Sequence, residues 1–269
     1  NSVTEDTTYG SGGEEWRYSI IPQVVPSVLN AAVPVPANRT IIPENNPYIV
    51  QGDLENLPGD TLTVRPGVMV EFEPGSSIHV HGHFVSDGTS EERITFQGRQ
   101  EQDNTWSGIH FYQSSPQLNV DDNNEYVSGP SFTFCDFEKG YLNDNGFTGV
   151  YISHCYFTES STTNRIAWGS ILTSEFVNGG TGINVSPLED NWLSVHSLDV
   201  KNSQFASNSG YGIDIDWIDH VEISNSIIQL NTSTGINIGS INSITIDSTS
   251  INDNNGYGFY CNSANSFLA

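Results

Sequence analysis

Basic residues are scarce in this chain: 8 Lys and Arg stand against 32 Asp and Glu, a net charge of -24. Phosphate binding needs a basic face, so the composition argues against a nucleic-acid partner. The excess of acid suits solubility in a saline exterior, or the binding of divalent cations or a cationic partner. Three Cys and two Lys leave little material for nucleophilic chemistry. No apolar run is long enough to span a membrane. No Ser-His-Asp arrangement, Walker loop or dinucleotide fingerprint is present, and no segment keeps a 3.6-residue period, which disfavours a helical solenoid. The chain begins Asn1-Ser2-Val3 without Met. It reads as a mature extracellular or cell-surface product whose signal peptide has been removed.

What the chain does have is a repeat. Asn208, Asn231 and Asn254 fall 23 residues apart, and Val200/Ile223/Ile246, Phe205/Ile228/Ile251 and Gly212/Gly235/Gly258 keep the same step. A fixed period of this size marks a stacked architecture. Within each copy apolar and polar residues alternate with period two, which is strand logic, and Asn, Ser and Gly supply the corners. Leucine-rich repeats have a similar period but need a Leu-dominated consensus, which is lacking. The expected fold is all-β: a single right-handed parallel β-helix of about 23 residues per rung. Looser steps extend it backwards through Cys135/Phe137, Cys155/Phe157 and Ser174/Phe176 to Ser203/Phe205, Ser226/Ile228 and Thr249/Ile251. With rungs about 4.8 Å apart, these positions predict one ladder of small side chains and one of mainly aromatic ones. Cys135 and Cys155 would then be neighbours, either bridged or as two buried thiols. Cys261 falls in step with Ile215 and Ile238 and reads as core.

Hydrophobic residues make up 36% of the chain, below the globular norm of about 45–50%, as a thin solenoid with a narrow core requires. Residues 1–45 are polar and then Pro-punctuated, and read as an extended arm or linker; residues 46–269 read as the β-helix. The run Gly59-Asp60-Thr61-Leu62-Thr63-Val64-Arg65-Pro66-Gly67-Val68-Met69-Val70-Glu71-Phe72, followed by "RITFQG" and "WSGIHF", resembles the opening rungs of secreted or surface-displayed right-handed parallel β-helix proteins of the pectate-lyase-like kind. That resemblance covers roughly residues 46–269 and implies the fold. It spans surface-layer, adhesive and polysaccharide-processing members, so it implies no single activity.

Its catalytic motifs are missing. A lyase needs calcium-binding carboxylates and a base; Asp199 and Glu222 lie one period apart, and Asp214 and Asp216 flank Ile215 on one strand, but of the basic residues only Arg165 and Lys201 lie in the central rungs. Asp121-Asp122 is a polygalacturonase-like pair without its companion elements. Candidate metal ligands are Asp214 and Asp216 for calcium, and His79, His81 and His83, expected on the outer face of one strand. Candidate sugar-stacking rings are Trp192, in the segment inserted between Phe176 and Phe205, with Trp217, Tyr211 and Tyr257. Asn38 and Asn231 fit the glycosylation sequon.

The last rung, "GYGFYC", is followed closely by "NSANSFLA", and an uncovered rung edge templates pairing with another strand. Sequence reasoning therefore favours a non-catalytic extracellular structural or adhesive surface protein that associates with itself head to tail or with other surface proteins. The alternative is a polysaccharide lyase-like, hydrolase-like or carbohydrate-binding β-helix.

Overall fold

The computed structural model describes residues 27–30, 38–99, 106–121, 125–144, 148–160, 163–186 and 196–268. The chain is a parallel β-solenoid of about nine turns with about 23 residues per rung, as the repeat predicts. Each full rung contributes strands to three faces. The first face runs from Asp53–Asn56 through Ser77–Val80, Ile109–Phe111, Leu142–Asp144 and Asn164–Ile166 to Ile183–Val185. The second runs from Arg39–Ile41 through Thr61–Val64, His83–Asp87, Ser131–Thr133, Val150–Ser153 and Gly169–Leu172 to Ser197–Lys201. In the last rungs the long strands Ile213–Ser224, Ile236–Asp247 and Phe259–Leu268 bend around the corner and join these faces into one 16-stranded sheet. The third face is a separate sheet of ten strands, from Ser27–Asn30 to Ser250–Asn252.

The core is built from in-register files. On the third face Phe96, Phe137, Phe157, Phe176 and Phe205 pair in succession. Their rings stack with centroids 4.9, 4.3, 4.5 and 4.9 Å apart, and the file passes to Ile228 and Ile251. The small-residue ladder lies beside it. There the backbone N–H of each member donates to the side chain of the next, as from Cys155 to Ser174 Oγ at 3.0 Å and from Ser174 to Ser203 Oγ at 3.1 Å. Cys135 and Cys155 are free, fully buried thiols. Cys261 is only partly buried, because its strand, Phe259–Leu268, has a neighbour on one side alone among the described residues.

The corners flanking the third face carry non-glycine residues in the left-handed region. Phe134, His154, Thr173, Asn202, Asn225 and Ser248 open it, and Lys139, Glu159, Asn178, Ser207, Leu230 and Asp253 close it, always five positions later. The asparagine ladder follows the second corner. Asn208 and Asn231 are 1% exposed, and each sends its side-chain amide to the carbonyl of a phenylalanine, Phe176 and Phe205 respectively, at 3.1 Å.

Two sequence expectations change here. The solenoid does not begin at residue 46: Ser27–Asn30 pairs with Tyr48–Gln51, and Arg39–Ile41 with Thr61–Val64. Part of the supposed arm is thus sheet, since Leu29 and Ile41 bury against the first rungs while Val28 stays exposed; residues 1–26 and 31–37 lie outside the described residues. Asn231 is no glycosylation acceptor in the folded chain, because its amide is buried in the ladder, whereas Asn38 is exposed at a turn.

Candidate functional site

The outer side of the first face carries one polar file along the body. In register it reads Glu55, His79, His110, Asn143, Arg165, Asn184, Asp214, Asn237 and Tyr260. Alternation puts these side chains outward while Leu142, Ile183, Ile213 and Ile236 point into the core.

At its centre lies a groove of about 360 Å³ lined by Tyr141, Asn143, Thr163, Arg165, Thr181, Asn184 and Asp214. Arg165 donates to Ser186 Oγ at 3.3 Å, and its Nε is buried without a hydrogen-bond partner. Both carboxylate oxygens of Asp214 are engaged: Oδ1 accepts from Asn237 Nδ2 at 2.7 Å and Oδ2 from Asn184 Nδ2 at 3.2 Å. The groove therefore offers hydrogen-bonding amides and hydroxyls and one cation, with its acid already occupied.

Toward the first rungs the file becomes a histidine-tyrosine cluster. His79 Nε2 is 2.8 Å from Ser77 Oγ, which donates to Asp53 at 2.6 Å, and His79 Nδ1 is 3.0 Å from Tyr112 Oη. His81 lies 3.2 Å from Glu55 and 3.1 Å from Ser114 Oγ, with its ring stacked on Tyr112 at 4.3 Å. His110 lies against Ser107 and Asn143, and burial lowers its pKa. Every ring nitrogen of His79, His81 and His110 thus has a protein partner.

The histidines do not share one strand as the alternation suggested. Ser77–Val80 ends before His81, and His83 opens the next face. The corner is fixed at Gly82, where an added Cβ would lie 2.3 Å from the carbonyl oxygen of Asp60. Among the described residues no three His, Cys, Asp or Glu side chains converge to hold a metal ion. Asp214 is tied to asparagines, as above, and Asp216 is exposed on the bend of its strand.

The aromatic candidates among the described residues do not form a strip. Trp217 sits within the strand Ile213–Ser224, opposite Ser240. Tyr211 is half-buried and Tyr257 is 67% exposed, stacked on Tyr260. Thr234, buried, holds the place between Tyr211 and Tyr257, and Trp192 lies outside the described residues.

Sequence reasoning missed a second site on the second face. The segment between Phe111 and Ser131 forms a small antiparallel pair, Asn119–Val120 with Tyr126–Ser128, anchored by Leu118 N–H donating to Thr148 O at 2.7 Å. Between it and the sheet is a cleft of about 200 Å³ walled by Trp168. The only signal in the sequence was an insertion, the usual origin of a loop on a binding face.

No family model matches this sequence, and no solved structure matches it. A segment of 63 residues, 23% of the chain, is 32% identical to Protein bark beetle of Drosophila melanogaster and spans 2% of that protein's length. No helix among the described residues is long and apolar enough to cross a membrane.

Proposed function

We propose that the chain is a non-catalytic extracellular adhesive protein whose stacked rungs present the groove around Arg165 to a polysaccharide. The observation that carries this reading is the occupation of Asp214 by two amides: among the described residues the groove's one acid is locked as an acceptor, while Arg165, which lines the same groove, supplies its cation. Proton transfer at a glycosidic bond needs a carboxyl free to exchange protons, whereas recognition needs only fixed donors and acceptors. In a protein of charge -24, an arginine facing outward among amides suits a carboxylated sugar. The test is calorimetric titration with oligogalacturonate, run beside an assay for unsaturated and reducing ends. Binding that Arg165→Ala abolishes, with no new ends released, is expected; release of either product overturns the non-catalytic reading.

Head-to-tail self-association is a second reading, in keeping with the long continuous strands Ile213–Ser224, Ile236–Asp247 and Phe259–Leu268, whose parallel ladder another strand can extend. Electron microscopy and light scattering across a concentration series test it, and monomers at every concentration would reject it.

A further inference from the structure

The second face holds a cleft independent of the Arg165 groove, with which it shares no lining residue. Its construction begins with Trp168. The indole packs at 4.3 Å on the ring of His196, which is 2% exposed. Its edge lies over Gly149, where an added Cβ would fall 2.3 Å from the indole Nε1. Gly149 itself is held with φ +68°, and its N–H donates to the buried carboxylate of Asp144 at 2.8 Å, as does that of Ala167 at 3.1 Å. The indole is thus seated from behind and below while it walls the cleft.

Opposite it stand Leu118, Asn119 and Val120, and the floor is made by Ser170 and Ser197. Two groups in this neighbourhood have no hydrogen-bond partner although buried: both ring nitrogens of His196 and the hydroxyl of Thr148, the latter 0% exposed. Acids outnumber cations beside the cleft. Asp199 pairs in register with Ser170 and follows Ser197 by two on the same side; Glu222 pairs with Asp199. Lys201, the nearby cation, is already bound to Glu222 at 3.4 Å.

We propose that this cleft binds one uncharged sugar ring of a glycan, laid against Trp168 and hydrogen-bonded by Ser170, Ser197 and Asn119. The size fits a single ring, since the volume falls below the roughly 300–1,000 Å³ of pockets for drug-sized ligands. An indole offers an apolar plate with a polar edge. Hydroxyls and amides both donate and accept, as a ligand rich in hydroxyls requires. Asp199 and the overall charge of -24 disfavour an anionic ring, so this site and the Arg165 groove differ in the sugars they take.

The test uses the full chain and a panel of neutral gluco-, manno-, galacto- and xylo-oligosaccharides of four to six units, with oligogalacturonate alongside, read by titration calorimetry. At least one neutral oligosaccharide is expected to bind, with affinity reduced tenfold or more by Trp168→Ala, largely kept by Trp168→Phe and unaffected by Arg165→Ala. Circular dichroism of each variant separates loss of the plate from loss of fold. Binding that survives in a folded Trp168→Ala protein, or no binding across the neutral panel, overturns the proposal. Loss of oligogalacturonate binding in Arg165→Ala bears on the groove alone, so the two readings fail separately.

Discussion

The Oδ1 atom of Asn231 accepts both the backbone N–H and the side-chain amide of Asn208, at 3.1 and 3.0 Å. Asn254 does the same for Asn231, at 3.1 and 2.8 Å. One side chain per rung therefore satisfies two donors of the rung before it, while its own amide covers a carbonyl. Buried groups left without partners cost far more than the bonds themselves contribute.

Asn231→Ala should accordingly lower stability by about 2–4 kcal/mol, from several buried groups orphaned at once. Chemical denaturation checks this. Expression in a glycosylating host should add no glycan at Asn231, as intact mass will report.

Gly140 lies against Trp106: a Cβ added there would fall 1.9 Å from the indole ring. That ring is 1% exposed, stacked on Phe72 at 4.0 Å and donating to Glu138 O at 2.9 Å. It has no room to give. Gly140→Ala should cost about 1–3 kcal/mol through overpacking and shift the tryptophan emission of the native protein.

His196 sets a pH dependence. Burial pushes its pKa below the ordinary histidine value, against the pull of Asp219 and Asp144. As pH falls below about 6.5 the unfolded chain takes up this proton before the folded one, so the folded state loses stability. His196→Phe keeps an aromatic ring against Trp168 and removes two unpartnered nitrogens. The difference in stability between the variant and the parent should grow in the variant's favour as pH drops from neutral toward 5. Thermal unfolding at several pH values checks it, and a constant difference would rule it out.

The thiols should divide into two classes. Burial pushes Cys135 well above its ordinary pKa, with Cys155 beside it adding to the rise; both are fully buried. Thiolate is the reactive form. A disulfide reagent should modify Cys261 readily in the native protein and reach the other two only on unfolding.

The fold was legible after Val200 because the period there is constant and each apolar position returns in register, as Val200, Ile223 and Ile246 do. Before that, the files of Phe137, Phe157 and Phe176 were readable from a two-residue motif, although their steps vary, because corners and insertions change length while the third face does not. The histidine strand was misread for a physical reason: alternation of apolar and polar residues runs straight through the corner at Gly82, so period alone does not reveal that the chain has turned. The strands at Ser27–Asn30 and Arg39–Ile41 escaped notice because prolines between them break any period. The cleft was not legible beyond that insertion, since Trp168, Gly149 and Leu118 meet only through the stacking of rungs.

The twin files of left-handed corners, from Phe134 and Lys139 to Ser248 and Asp253, hold the third face to one length in six successive rungs. Extra chain enters elsewhere: the segments between Phe111 and Ser131 and between Val185 and Ser197 both leave at the edge where the first face meets the second. In the last rungs that same edge is crossed by a continuous strand. That edge is open to grafting: a foreign peptide inserted between Asp216 and Trp217 would be displayed while every neighbouring rung kept its register.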